Sequence, residues 1–257
     1  MGRVIAVTNQ KGGVGKTTTC VNLAASLVAT KKKVLLIDLD PQGNATMGSG
    51  IDKNAVERSL YDVLVHDVPI AEVSVYAENC GYDMIPSNAD VTAAEVELLA
   101  IEGKEFRLRD ALAIERAEYD YIMIDCPPSL NMLTVNAMTA AQGVIIPMQC
   151  EYYALEGLSA LLETIAQIQQ VLNPKLEIDG LLRTMYDPRN SLTNDVSKQL
   201  TDYFGDKVYR TVIPRNVRLA EAPSHGMPVI SYDKKSKGAM SYLVLAGEIL
   251  RRGDNAQ

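Results

Sequence analysis

The sequence contains no tryptophan and only two phenylalanines, so its core must be built mainly from aliphatic side chains. No apolar run approaches the ~20 residues that a membrane-spanning helix needs. Hydrophobic residues make up 47% of the 257 residues and charged residues 22%, which is ordinary for a globular protein. A chain of this length fits one large α/β domain, and is also compatible with two small ones.

Paired metal-binding cysteines are also missing. The chain has four cysteines and no C-x-x-C pair, the spacing typical of zinc and redox sites. Cys20, Cys126 and Cys150 lie in apolar segments, where a free cysteine behaves as a small core residue. We therefore expect buried thiols and a cytoplasmic, reducing compartment.

Positive charge is scarce overall, but it is unevenly distributed. Lys and Arg total 25 against 32 Asp and Glu, which gives a net charge of −7 and by itself argues against nucleic-acid binding. Residues 183–237 reverse this balance, with ten Lys/Arg against six Asp/Glu, a local +4 that leaves −11 for the rest. Such an asymmetry supports a binding face in this segment.

Strand-like and helical segments alternate along the chain. Short apolar runs at residues 4–8, 34–38, 82–85, 121–125, 143–147 and 178–182 are typical of parallel strands covered on both faces. Helical spacing marks residues 17–29, 154–172 and about 238–251. The alternation predicts an α/β fold with a doubly wound, mostly parallel sheet flanked by helices. Because no linker divides the chain, we expect residues 1–257 to form a single domain.

A glycine-rich loop follows the first predicted strand. Residues 9–19 read NQKGGVGKTTT, close to the phosphate-binding pattern G-x-x-x-x-G-K-[ST], but Gln10 stands where the first glycine belongs and Lys11 adds a second lysine. Such a loop points backbone N–H groups at phosphate, and the following helix adds its positive end. Lys16 is expected to reach the β- and γ-phosphates, and Thr17 to offer its hydroxyl to Mg²⁺. The residues predicted to contact the nucleotide here are Gly12, Gly13, Val14, Gly15, Lys16, Thr17 and Thr18.

Three carboxylates follow predicted strands. Asp125 ends the run YIMID and suits the Walker B role of holding Mg²⁺ through water. Asp38 and Asp40 lie in DLDPQGN and share one face if the segment is extended, with Pro41 ending the strand. Asp40 is the predicted residue for orienting or activating water, and Asp38 for supporting the loop or the metal's water shell. Turn chemistry alone is the alternative explanation of this segment. Since parallel strands open at their carboxyl ends, we expect the loop and these carboxylates to converge on one crevice.

These motifs, with IDCPPS, PMQCEYYALEGL and TVIPRNVRLAEAPSHG, resemble the ParA/MinD group of deviant Walker A P-loop ATPases. The resemblance runs essentially end to end and is nearest to the chromosomal ParA (Soj) type. It implies a P-loop NTPase fold of the SIMIBI type, with ATP and Mg²⁺ as cofactors. It implies slow ATP hydrolysis, stimulated by DNA and by a ParB-type centromere-binding partner.

The resemblance also assigns a role to Lys11. This lysine would cross a two-fold interface to the phosphates of the partner's ATP, so that ATP binding produces a sandwich homodimer and hydrolysis reverses it. Pro214 and Asn216 would touch adenine or its surroundings, and Met185 would pack near the base.

Arginines of the basic segment would bind duplex DNA without sequence preference, which implies a nucleoid-associated protein. The resemblance points to Arg189, Arg215 and Arg218. Arg215 and Arg218 are three residues apart, so they would share a face on a helix that starts after Pro214. Salt-bridged surface arginines are the alternative explanation.

Three other functions use related scaffolds. A MinD-like, membrane-associated division regulator would need a C-terminal basic amphipathic helix, which the ending RRGDNAQ does not resemble, so no membrane partner is expected. An iron–sulfur reductase would need exposed cysteines at a dimer axis. A small-molecule ligase or kinase would have no need for Lys11 or the PRNVR segment.

Overall fold

The structure is a computed structural model that describes residues 2–254. Within that range eight strands form one sheet in the order β3-β4-β2-β5-β1-β6-β7-β8. All paired strands are parallel except β3 and β4, which are antiparallel. The strands are β1 (Arg3–Val7), β2 (Val34–Asp38), β3 (Val75–Ala77), β4 (Tyr82–Ile85), β5 (Tyr121–Asp125), β6 (Gly143–Gln149), β7 (Glu177–Tyr186) and β8 (Val208–Pro214).

Helices connect the strands and cover both faces of the sheet. They are α1 (Lys16–Ala29), α2 (Asn44–Gly48), α3 (Leu60–His66), α4 (Ile70–Val73), α5 (Val91–Glu97), α6 (Arg107–Glu115), α7 (Met132–Ala140), α8 (Ala154–Val171), α9 (Ser191–Phe204), α10 (Val217–Glu221), α11 (Val229–Tyr232) and α12 (Lys237–Asp254). The predicted α/β class, with its mostly parallel sheet, is confirmed.

The two faces of the sheet bury separate apolar clusters. Successive side chains of a strand point to opposite faces, so in β1 Val4 and Ala6 join one cluster while Ile5 and Val7 join the other. Helices α1 and α12 cover the second cluster through residues such as Leu23. The core is largely aliphatic, as the composition predicts, and the sequence pattern identified its central strands correctly.

All four cysteines are buried free thiols, including Cys80, for which the sequence made no prediction. Cys126 is 1% exposed, so its sulfur is not available at a surface where a shared iron–sulfur cluster would form. Among the described residues, no helix has both the length and the apolar character needed to cross a membrane.

Candidate nucleotide site

The glycine loop lies at the carboxyl end of β1 and leads directly into α1. Gly13 and Gly15 have φ angles of 73° and 87°, a left-handed conformation that glycine adopts without steric cost. Gly15 is also the residue that precedes the first turn of α1, which has no side-chain cap. The first N–H groups of this 14-residue helix are therefore free to face an anion in the loop.

Neighbouring strands hold the loop in place. The Thr184 hydroxyl of β7 donates to the Val14 carbonyl at 2.8 Å, and the Asn9 amide donates to the Pro147 carbonyl of β6, also at 2.8 Å. Gln149 donates from Nε2 to the Gly13 carbonyl at 3.2 Å. The sequence pattern did not identify these anchors, because they come from strands more than 130 residues away along the chain.

The two lysines of the loop point in different directions. Lys16 is 7% exposed, and its Nζ donates to the Lys11 carbonyl at 3.2 Å. Burial lowers the pKa of Lys16, and the nearby Asp125 carboxyl partly offsets that effect. The Lys11 side chain is 45% exposed, and its Nζ lies 2.6 Å from Oε2 of Glu151. Lys16 thus faces its own loop, whereas Lys11 faces outward.

The three predicted carboxylates meet at this crevice. Strand pairing sets Asp38 of β2 directly beside Asp125 of β5 and Asp125 beside Val7 of β1. Strand β2 ends at Asp38, earlier than the expected end at Pro41, so Asp38 and Asp40 do not share a face of an extended strand. Asp38 is fully buried, while Asp40 lies in the following turn and lines the crevice.

Asp38 holds this turn together. Its Oδ2 accepts hydrogen bonds from the backbone N–H and hydroxyl of Thr46 at 2.8 and 2.7 Å, and its Oδ1 accepts one from the Asp40 N–H at 3.2 Å. The Thr46 hydroxyl in turn accepts from the Ser87 N–H at 2.9 Å. Asp38 therefore joins the end of β2 to α2 and to the loop after β4, and fixes the position of Asp40.

Asp125 fits the predicted Mg²⁺ role. It is fully buried, and neither carboxylate oxygen accepts a hydrogen bond from the described residues, although Thr17 and Cys20 lie close enough to lower its pKa. Burial is the larger effect and, with repulsion from Asp38, raises the pKa of Asp125. Among the described residues no cluster of three His, Cys, Asp or Glu side chains could hold a metal alone. A single buried carboxylate beside a glycine loop fits Mg²⁺, which usually keeps several waters and takes phosphate oxygens as ligands.

Replacing Asp125 with asparagine should stabilise the nucleotide-free protein. The raised pKa means that the folded state holds this proton longer than the unfolded chain, so stability falls as pH rises from the ordinary carboxyl pKa through the raised one. Removing the buried charge should raise the melting temperature by about 2–8 °C at pH 8.5 in EDTA. The gain should shrink on acidification, as the wild-type carboxyl takes up its proton. A lower melting temperature for Asp125→Asn at every pH would contradict this account.

The predicted base-binding residues also converge. Met185, Pro214 and Asn216 line a pocket of about 180 Å³ that shares Gly15 and Thr18 with the phosphate crevice. Met185 has a φ of 48°, an uncommon conformation for a residue with a side chain. Asn216 uses Oδ1 to cap α10 through the Leu219 N–H at 3.3 Å, which leaves its Nδ2 group available to a base.

The main crevice has a volume of about 590 Å³ and a wall that the sequence did not predict. Pro223, Ser224 and Met227, from the segment after α10, close its outer side. Gly226 of this segment packs against Gly50, where an added Cβ would lie 2.7 Å from the opposing backbone. No local pattern distinguishes such a wall from an ordinary loop, because only tertiary packing places it here.

The three predicted DNA-contacting arginines lie in loops and a short helix near the same end of the sheet. Arg189 follows β7, is 88% exposed and forms an ion pair with Asp187. Arg218 lies in α10 and forms ion pairs with Glu221 and Asp233. The prediction that Arg215 and Arg218 share a helical face is wrong: Asn216 caps α10, so Arg215 precedes the helix. The extended conformation of Asn216, with φ −144°, starts the helix later than the sequence spacing suggested.

Comparison with known proteins identifies the family. The AAA_31 family model, described as an AAA domain, matches residues 2–178. The sporulation initiation inhibitor protein Soj of Bacillus subtilis is 54% identical over 98% of this chain and 100% of its own length. The chromosome partitioning protein ParA of Caulobacter vibrioides (strain NA1000 / CB15N) is 53% identical over 99% of this chain and 96% of its own.

Solved structures share the fold over the whole chain. A Mycobacterium smegmatis protein described as cobyrinic acid a,c-diamide synthase, with bound ADP and magnesium, is 39% identical, with a TM-score of 0.88 over 100% of this chain and 97% of its own. Its bound nucleotide and metal agree with the chemistry that the loop, Lys16 and Asp125 offer here. The extent and level of these similarities show that the chain belongs to the ParA family of deviant Walker A P-loop ATPases.

Proposed function

We propose that this chain is an ATP-driven partitioning switch. ATP and Mg²⁺ bring two copies together face to face, and the dimer binds double-stranded DNA without sequence preference. Hydrolysis, stimulated by a ParB-type centromere-binding protein, separates the copies and releases the DNA. The names of the Soj and ParA relatives support the chromosome-partitioning role, and the expected location is the nucleoid.

The orientation of Lys11 carries this proposal. Lys16 lies beneath the loop and can serve the nucleotide of its own chain, so one lysine already meets that requirement. Lys11 starts from the same loop, but its side chain is half-exposed and its amine pairs with Glu151 instead of facing the loop of its own chain. Two polyphosphates facing one another would repel, and a lysine from each side offsets that repulsion. An outward lysine on a phosphate loop is therefore suited to a nucleotide bound by a second copy.

The crevice also supports hydrolysis. Mg²⁺ would be held by Thr17, by Asp125 through water and by the nucleotide's own oxygens, and would neutralise phosphate charge. Asp40 lines the same crevice and is the residue that would position the attacking water. Since contacts to the γ-phosphate exist only before hydrolysis, the dimer is tied to the ATP state.

The deciding experiment measures binding to random-sequence duplex DNA across a salt series, with ATP–Mg²⁺ and with ADP–Mg²⁺. Binding with ATP alone, with an affinity that falls linearly against salt on logarithmic axes, is the expected result. Absence of binding in both states would refute the DNA-binding part of the proposal and leave the ATPase assignment intact.

Arg189→Ala should dimerise normally but bind DNA more weakly. The loss of one phosphate contact per copy should reduce the salt slope by about one unit for each arginine removed. The matched control is Arg109→Ala, because Arg109 is also exposed and forms an ion pair with its neighbour Asp110. Equal effects of the two substitutions would mean that net charge, and not the Arg189 position, determines binding.

A MinD-like membrane role receives less support. The apolar side of α12, including Tyr242, Leu245 and Ile249, is buried against α1 and the sheet, so that side is already used by the core. Sedimentation with anionic liposomes in ATP tests this alternative, and ATP-dependent co-sedimentation would favour it.

A small-molecule ligase has one observation in its favour. The Mycobacterium smegmatis structure at 39% identity carries the name of a synthase. ATP turnover that requires a small-molecule acceptor and does not respond to duplex DNA would support that function over partitioning.

A further inference from the structure

Two of the three predicted DNA-contacting arginines are already occupied by carboxylates. Arg189 donates from Nε to Oδ1 of Asp187 at 2.9 Å and from Nη2 to Oδ2 at 2.8 Å, which is a two-pronged pair. These hydrogen bonds are the main cause that lowers the pKa of Asp187 to about 2. In this pair the Nε and Nη2 donors of Arg189 are used by its own chain, and these are donors that a phosphate would otherwise bind.

Arg218 is engaged from two sides. Its Nη1 lies 2.8 Å from Oε2 of Glu221, and its Nε lies 3.3 Å from Oδ2 of Asp233. Arg215 has no ion pair among the described residues, but it is near enough to help lower the pKa of Asp187. Acids from the basic segment itself therefore surround the arginine face.

A DNA phosphate must compete with these carboxylates. Arginine binds carboxylate and phosphate through the same two-pronged geometry, so the two ligands exclude one another on the same donors. An exposed ion pair shifts an equilibrium only about one- to fivefold. The carboxylates would therefore lower the affinity for DNA without preventing binding.

We propose that Asp187, Glu221 and Asp233 limit the DNA affinity of this chain by holding Arg189 and Arg218 in cis. This inference rests on the proposed DNA-binding function. Weak binding by each face makes stable attachment depend on two faces acting together in the dimer. It also allows the DNA to be released when hydrolysis separates the copies.

Amide substitutions can remove the charges while keeping the local structure. Asp187 Oδ1 also accepts the Arg189 N–H at 3.1 Å, and an asparagine oxygen can do the same. Glu221 Oε2 accepts the Tyr232 hydroxyl at 3.3 Å, which a glutamine oxygen can also accept. Asp187→Asn and Glu221→Gln are thus direct tests, with less risk of misfolding than alanine variants.

The experiment compares wild type, Asp187→Asn, Glu221→Gln and the double variant by fluorescence anisotropy on a labelled random-sequence duplex. Each is measured with ATP–Mg²⁺ and with ADP–Mg²⁺ across a salt series. Each single variant should bind about two- to fivefold more tightly per copy, or up to about 25-fold in a dimer that uses both faces. The salt slope should stay close to that of wild type, because the same arginines contact phosphate in both proteins and the substitutions remove only a competing carboxylate.

Asp110→Asn is the control, since Asp110 forms an exposed pair with Arg109 on α6 and its substitution changes net charge equally. The inference would be overturned if the two amide variants bound DNA no more tightly than wild type, or if Asp110→Asn gained as much affinity as they did. In either case, DNA binding by wild type with ATP would leave the proposed function intact. Failure of wild type to bind DNA with either nucleotide would refute the proposed function, and this inference with it.

Discussion

Lys16→Ala should lose nucleotide binding and lower ATP turnover by about 100-fold or more, the scale of losing a preorganised charge partner at a reacting centre. Lys16 is the buried cation of the crevice, and its amine lies beside a loop whose glycines and helix start are arranged for phosphate. Among residues 2–254 that amine donates only to the Lys11 carbonyl, so a phosphate oxygen can replace this contact at little cost.

Titration with a fluorescent ATP analogue and a steady-state phosphate-release assay measure the two effects separately. Lys175→Ala provides the control, because Lys175 is exposed and lies just before β7, away from the crevice. Wild-type nucleotide affinity in Lys16→Ala would refute the assignment of the glycine loop. The melting temperature should change little, since Lys16 is buried at a cost that its removal relieves.

The position and backbone geometry of the glycine loop could be predicted because their signals are local. Gly13, Gly15, Lys16 and Thr17 occur in one continuous stretch, where backbone conformation and helix start dictate the residue types. Asp125 could be predicted equally well from the sequence. A carboxylate at the end of a buried parallel strand is seldom there for packing alone, so it indicates a functional role. Because parallel strands open at their carboxyl ends, the glycine loop and Asp125 could be placed at the same edge of the sheet without any knowledge of distant contacts.

The remainder depends on tertiary packing, which one sequence does not display. The wall formed by Pro223, Ser224 and Met227 exists only because the chain after α10 folds back over the loop. The prediction that Arg215 and Arg218 share a helical face was wrong because the N-cap residue decides where α10 begins, and the spacing of the arginines does not. The ion pair of Lys11 with Glu151 joins residues 140 positions apart, so no local pattern of the sequence indicates it.

Asp40→Ala should retain ATP binding but lower hydrolysis by about 100- to 1,000-fold, the usual effect of removing a group that positions or activates a nucleophile. Asp40 lines the crevice with Lys16 and Thr17 and is only half-buried, so its carboxylate can reach a water in the crevice. Within the described part of the chain its carboxylate accepts one hydrogen bond, from the Gln42 N–H at 2.9 Å, and the loss of that exposed contact should cost little stability. An intact fold that binds ATP without cleaving it should accumulate as the dimer.

Light scattering after size exclusion in ATP–Mg²⁺ would detect this persistent dimer, and Asp52→Ala, an exposed acid outside the crevice, is the control. Wild-type turnover in Asp40→Ala would show that another group positions the water.

Asp38 is a poor candidate for that group, because Thr46 and the Asp40 N–H already occupy both of its oxygens. Two acids that the sequence presents as a pair thus differ in their surroundings: Asp38 fixes the turn, and Asp40 is the one that we expect to face the attacking water.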